Sequence, residues 1–360
     1  MNAPEPALLP ASFGGLAGFD EDDCAEALAC FLVSCRAPRD APRPACPPSS
    51  ALQAAFEAAL AVDARDPARA RAFFVDHFTP HRVVVPGGRG FLTGYYQPRL
   101  RGSSRPSAQF PTPVLARPDD LVTFRDGERP AGFDPQLSGG RRLADGAIVA
   151  YPERAAIEDA AASAVLWLED PVELFMAQVQ GGALVTLDDG AVVRLAYDGR
   201  NGQPYTSIGR LLIESGEIAE PGMSLAKLKD WLRANGLEPG EPARDLMRRN
   251  RSFVFFKVEP DGAEPVAGAG VALTALRSIA VDRTLWSYGM PFFVRAELRW
   301  RSARREPFSR LMIAQDTGSA ILGAARADIY FGSGDEAGAR AGDIRDEADF
   351  FVLLPKGGRG

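Results

Sequence analysis

From Arg82 onward this chain is written in short apolar runs bounded by Gly, Pro, Asn and Asp, and that texture confines it to a mainly β fold. Val83-Val84-Val85, a Gly-Gly turn and Phe91 to Tyr96 read as two strands. Gly182 to Leu187 and Ala191 to Tyr197 read as a strand pair joined through Asp188-Asp189-Gly190, where glycine supplies the left-handed backbone a tight hairpin needs. Phe253 to Val258, Ser278 to Val281 and Pro291 to Leu298 continue the pattern. Helical periodicity is concentrated earlier. Asp22 to Ser34 places Ala25, Leu28, Ala29, Phe31 and Leu32 near one face behind an acidic start, and Ser50 to Val62 and Pro67 to Phe74 follow. Two later helices are expected at Glu153 to Ala162 and at Ser224 to Ala234, the second capped by Ser224 and stopped by Gly236. Residues 98–130, rich in Pro, Arg and Ser, read as an excursion out of the first unit into a second.

Composition removes several functions. A net charge of −6 argues against a nucleic-acid partner, because neutralising phosphates requires clustered Lys and Arg. The one basic cluster, Arg299, Arg301, Arg304 and Arg305, is flanked by Glu297 and Glu306 and reads as a solvated loop. No apolar run reaches the roughly 18 residues of a membrane span. Met1 to Gly18 holds no Lys or Arg and is interrupted by Pro4, Pro6 and Pro10, so no signal peptide or lipidated cysteine is expected from it. Cys24, Cys30, Cys35 and Cys46 permit disulfides in an oxidising compartment or buried thiols, but lack zinc-site spacing. Neither a metal nor another cofactor is expected.

The chemistry is reached by elimination. A serine or cysteine nucleophile would have to borrow His77 or His81, and no Gly-x-Ser-x-Gly elbow or phosphate loop is present. Carboxylates remain. The densest segment runs Asp316-Thr317-Gly318-Ser319-Ala320-Ile321, then Arg326-Ala327-Asp328-Ile329-Tyr330-Phe331-Gly332. Asp328 stands in an apolar strand, where aspartate is normally unwelcome and where desolvation would raise its pKa towards that of a useful acid. The competing reading is a strand-end aspartate turned to water.

This segment closely resembles the three-aspartate domain of the membrane-bound lytic murein transglycosylase A family, with Ser278-Ile279-Ala280-Val281-Asp282 similar to the strand that carries its first aspartate. The resemblance continues through Thr93-Gly94-Tyr95-Tyr96-Gln97-Pro98, Tyr151-Pro152-Glu153-Arg154, Gln178-Val179-Gln180-Gly181, Asn201-Gly202-Gln203-Pro204-Tyr205 and Asn250-Arg251-Ser252-Phe253. Ser319, Arg251 and Gly182 depart from it, standing where Gly, Pro and Ser are usual.

The resemblance implies a double-psi β-barrel interrupted by an inserted β domain, with a glycan groove between them. Residues 1–98 would hold the N-terminal helices and the first part of the barrel, 99–245 the insert, and 246–360 the rest of the barrel. It further implies Asp328 as sole acid and base, with Asp282 and Asp316 in supporting roles. The substrate would be the glycan strand of peptidoglycan, cut between N-acetylmuramic acid and N-acetylglucosamine to leave a 1,6-anhydro ring. The resemblance then implies a periplasmic enzyme, with association to the outer membrane and to a cell-wall complex as further expectations. Candidate groove residues are Thr93, Gly94, Tyr95, Tyr96, Gln97, Gln178, Gln180 and Gly181, with Ser287, Tyr288 and Gly289 shaping a loop near the acid or forming a plain turn. Strand alternation forbids Tyr95 and Tyr96 from sharing a face, so one of them belongs to the core. A hydrolase using Asp316 as a second carboxylate, or a catalytically silent peptidoglycan-binding protein, are the rival readings.

Overall fold

In the computed structural model, the residues described are 7–37, 45–86, 88–124, 128–160, 163–220, 223–260, 266–318 and 320–357. The chain forms two compact units, one of residues 1–96, 264–332 and 336–360, the other of 97–263 and 333–335.

The first unit is built on a closed ring of six strands. Gly90–Gln97 pairs with Arg345–Pro355, followed around the ring by Pro291–Leu298, Glu306–Asp316, Ser278–Val281 and Arg326–Ser333, which returns to Gly90–Gln97. Closure leaves no ring strand with an unpaired edge. Ser278–Val281 runs parallel to Glu306–Asp316 and antiparallel to Arg326–Ser333. Two further strands, Phe78–Val84 and Ala7–Pro10, extend the sheet from Arg345–Pro355.

Three helices, Cys24–Cys35, Ser50–Ala59 and Pro67–His77, cover this unit, each starting on a side-chain cap: Asp23, Ser49 and Asp66. Phe31 joins them, its ring within 6.1 Å of Phe56, Phe73, Phe74 and Phe78. Arg277, fully buried, fastens the first helix to the ring. It makes 2.9 Å hydrogen bonds to both Asp22 carboxylate oxygens and to Glu26, and donates to the carbonyls of Asp23 and Leu311. The four cysteines are free thiols.

The second unit carries a six-stranded sheet in the order Val254–Pro260, Val192–Arg200, Gly182–Leu187, Arg99–Ser103, Ala164–Leu168, Thr112–Leu115. The expected hairpin is present, pairing Thr186 with Val192 around Gly190 at φ 87°. Residues 98–130 contain strands, with Leu121–Thr123 in a separate three-stranded sheet, because Leu100, Val114, Leu115 and Leu121 bury themselves between the prolines. Helices Pro171–Gln180, Ile208–Glu214 and Pro242–Arg248 were not expected from periodicity. Pro171–Gln180 nonetheless shows ordinary signals: an Asp170 cap, a proline in its first turn and a left-handed Gly181 at its end.

Candidate active site

Asp328 lies mid-strand in Arg326–Ser333. Ala327 and Ile329 on either side are fully buried, while Arg326 and Asp328 are half-buried on the opposite face. The neighbouring strand answers with Phe91, Thr93 and Tyr95 on its open face. Three contacts join the two rows. The Arg326 guanidinium lies 5.4 Å from the Phe91 ring centre, the Thr93 hydroxyl donates to Asp328 Oδ1 at 2.7 Å, and the Tyr95 and Tyr330 rings lie 5.3 Å apart. Burial pushes the Asp328 carboxyl up to about 6, against the opposing pull of the Thr93 hydrogen bond and the Arg326 charge, with Asp316 adding to the rise.

Asp316 and Asp328 are aligned on the same central residue: Ala280 pairs with Asp316 on one side and with Asp328 on the other. Two strand spacings, about 10 Å, separate their backbones. Their surroundings differ. Asp316 accepts hydrogen bonds from the Tyr95 hydroxyl at 2.9 Å, the Gly268 amide at 2.8 Å and the Thr317 amide at 2.9 Å. Burial raises its pKa, and those three donors oppose the rise. Tyr288 also belongs here: a Cβ on Gly268 would lie 2.6 Å from its hydroxyl and 3.3 Å from Asp316 Oδ1. Burial, then the Asp316 charge, push the Tyr288 phenol up to about 12. Tyr288 is the middle residue of Ser287-Tyr288-Gly289, the loop expected from the sequence to lie near the acid.

Asp282 does something else. It is 4% exposed, and its carboxylate accepts from the Thr284 amide and hydroxyl and, 41 residues along the chain, from the Gly323 amide at 2.8 Å. It therefore ties the loop after Ser278–Val281 to the loop preceding the Asp328 strand. Among the described residues, no group of three or more His, Cys, Asp or Glu could hold a metal ion.

The chain matches the MltA specific insert domain over residues 91–257 and the 3D domain over 277–354. A solved membrane-bound lytic murein transglycosylase from Agrobacterium tumefaciens superposes with a TM-score of 0.85 at 36% identity, covering 97% of this chain and 98% of that one. The chain belongs to the membrane-bound lytic murein transglycosylase A family. Another member, MltA from Neisseria gonorrhoeae, superposes with a TM-score of 0.76 at 26% identity over 100% of this chain and 93% of that one. Membrane-bound lytic murein transglycosylase A of Vibrio cholerae is 33% identical over 72% of this chain, and the match spans 63% of the length of that relative.

Within this family's motifs, the structure separates residues gathered around Asp328 from residues that hold the fold. Thr93 and Tyr95 touch Asp328 and Asp316 respectively. Tyr96, 5% exposed, faces the other way and packs on Gly338 of helix Asp335–Gly342, so Tyr95 is the open member of the pair. Gly94 is a close-packing position: a Cβ there would meet Ala341 Cα and O at 2.8 Å and the Phe331 ring at 2.9 Å. Gln97 is buried, accepting from the Ser333 hydroxyl at 3.0 Å. Ser287 is buried and donates to the Pro47 carbonyl, and Gly289 takes φ 84° where a Cβ would meet the Phe56 ring at 2.4 Å. Both hold the N-terminal helical layer against the ring.

Gln178, Gln180 and Gly181 lie in the second unit, on helix Pro171–Gln180 and its stop. Gln178 is 6% exposed, its amide oxygen accepting from Arg154 Nη1 at 2.7 Å and its amide nitrogen donating to the Val254 carbonyl at 3.0 Å. Arg154, 2% exposed, also donates to the carbonyls of Asn250 and Ser252 and lies over the rings of Phe175 and Phe253. Asn201, fully buried, bridges the Pro152 and Arg251 carbonyls. The insert motifs thus meet in one polar network that pins four chain segments together. Of the departures from the family pattern, Ser319 lies outside the described residues, while Arg251 contributes its carbonyl to this network.

Proposed function

We propose that this chain is a lytic transglycosylase that cleaves the bond between N-acetylmuramic acid and N-acetylglucosamine in peptidoglycan without water, leaving 1,6-anhydro-N-acetylmuramic acid ends. The observation that carries this reading is the contrast between the two aligned carboxylates. Among the described residues, Asp328 accepts a single side-chain hydrogen bond, from Thr93, and has its pKa pushed up to about 6, whereas Asp316 is held by three donors. A group that must give a proton and then take one back needs a pKa near the working pH and unoccupied lone pairs.

In this mechanism protonated Asp328 donates to the glycosidic oxygen as the bond from muramic acid C1 breaks. Ionised Asp328 then accepts the C6 hydroxyl proton of the same sugar as that oxygen bonds to C1. Proton and bonds balance within the substrate, and no second carboxylate or water is required. Asp316 supports the step by fixing Tyr95, and Asp282 by fixing the loop ahead of the Asp328 strand. Tyr95 is the aromatic candidate for sugar contact, with Thr93 acting on the carboxylate itself. A pair of carboxylates serving an ordinary glycosidase divides acid and nucleophile or base between them, a division that the three donors on Asp316 disfavour.

The substrate places the enzyme in the periplasm. Association with the outer membrane and with a cell-wall complex is in keeping with relatives named membrane-bound. Among the described residues, no helix is long and apolar enough to cross a membrane.

Mass spectrometry of sugars released from purified sacculi by wild type and Asp328→Asn tests the reading. Anhydro ends from wild type alone support it. Reducing ends would replace it with a hydrolase and turn attention to Asp316, and no release from either protein would leave a binding protein.

A further inference from the structure

We propose that Arg326 is a positioning residue for Asp328, acting through the Thr93 hydroxyl, whose proton it directs onto the carboxylate. The donor and acceptor inventory carries this. A guanidinium has only donors, and a threonine hydroxyl has one donor and two acceptor lone pairs. Arg326 Nη2 lies 2.8 Å from Thr93 Oγ1, so that oxygen must accept from it. The hydroxyl proton is then the group left to face Asp328 Oδ1, at 2.7 Å. In that polarity Thr93 can only donate to Asp328, which favours the ionised carboxylate over the protonated one.

Arg326 is held for this task. Its guanidinium is half-buried, lies over the Phe91 ring at 5.4 Å and donates to the Ala327 carbonyl. It forms no ion pair among the described residues, so its hydrogen bonds go to a carbonyl and to Thr93 rather than to a carboxylate. A positive group at one end, a neutral hydroxyl in the middle and a carboxylate at the other end form a chain in which each hydrogen bond polarises the next. Among the described residues, the ionisable groups around Asp328 on the packed strands are Arg326 and the Tyr330 phenol on its own strand, Asp316 two strands away and the Tyr95 phenol on the neighbouring strand. Arg326 is the single cation among them, and it works against burial and the Asp316 charge. Without it, both the charge and the fixed direction of the Thr93 hydroxyl are lost, and the acid becomes harder to ionise for its second task. The catalytic meaning rests on Asp328 being the acid, whereas the hydrogen-bond chain does not.

The test follows Asp328 directly, by NMR titration of the full chain carrying aspartate labelled with carbon-13 at the carboxyl, with Asp328→Asn to assign the signal. Arg326→Met is expected to move the Asp328 midpoint up by about one pH unit or more, the range for losing a nearby opposite charge. Thr93→Val is expected to move it in the same direction. The double variant should rise by less than the sum, because the arginine acts partly through the threonine. Arg326→Lys, which also only donates, should recover most of the wild-type midpoint. An unchanged midpoint in Arg326→Met, or a double variant equal to the sum, would overturn the relay. If Arg326→Met loses its cooperative thermal transition, Arg326→Gln carries the test, with an upward movement expected and an unchanged midpoint again refuting it. Turnover separates the two readings. The alkaline limb of kcat/KM should follow the NMR midpoint, and an NMR shift with a stationary limb would remove Asp328 as the acid while leaving the relay standing.

Discussion

Replacing Asp22 by alanine should destabilise the first unit far more than an ordinary surface substitution. The Asp22 side chain is 3% exposed, and its two oxygens accept from Arg277 Nη1 and Nη2 at 2.9 Å each and from the Leu311 amide at 2.7 Å. Removing it leaves a fully buried guanidinium with Glu26, which is 44% exposed, as its remaining carboxylate partner, and leaves a buried amide unpaired. Breaking one side of a buried pair costs about 3–5 kcal/mol, which for a body of this size is a fall of roughly 6–20 °C in Tm. Denaturant unfolding followed by tryptophan fluorescence is the assay, since Trp286 and Trp300 report on this unit when Trp167 and Trp231 are replaced by phenylalanine. The double variant Asp22→Ala/Arg277→Met should recover part of the loss, because the stranded charge is then gone. A loss below about 1 kcal/mol, the ceiling for exposed pairs, or a double variant worse than the sum of the singles, would refute the reasoning.

Activity should fall as pH rises through about 6, because Asp328, whose pKa is raised by burial, must be protonated to start the reaction and loses that proton above its pKa; a pH profile of anhydro-product formation checks it. Gly94→Ala should cost about 1–3 kcal/mol, since its methyl meets the Ala341 backbone at 2.8 Å rather than a movable side-chain end; thermal melts measure this. Gln178→Leu should destabilise the second unit by about 1–3 kcal/mol through the loss of a partner to buried Arg154, seen in the Trp167 and Trp231 signals. Sacculus binding measured below its melting point should remain within about twofold of wild type, as expected for a buried side chain that meets no sugar.

Much of the fold was legible where a local rule governs. The Asp188-Asp189-Gly190 hairpin, the capped helix at Ser224 and the strands Ser278–Val281 and Pro291–Leu298 follow from turn chemistry, capping and alternation. Helix Asp335–Gly342 and strands Glu306–Asp316 and Arg345–Pro355 escaped the reading. The helix is short and glycine-bearing, and the two strands carry charged residues that distant partners make tolerable, as Glu26 does for Arg310 and Arg305 does for buried Asp346.

The sequence by itself determined the mainly β class, the family and the short roster of carboxylates, because those depend on residue type and order along the chain. Tertiary structure alone decided how the three aspartates differ. Asp282, Asp316 and Asp328 are interchangeable in charge and reach, and nothing in their immediate neighbours says that one secures a loop, one is held by three donors and one keeps a single side-chain hydrogen bond among the described residues. Those donors come from residues up to 235 positions away, brought alongside by ring closure. A carboxylate's protonation depends on the burial and hydrogen bonds that surround it in space, which the order of residues along the chain does not contain.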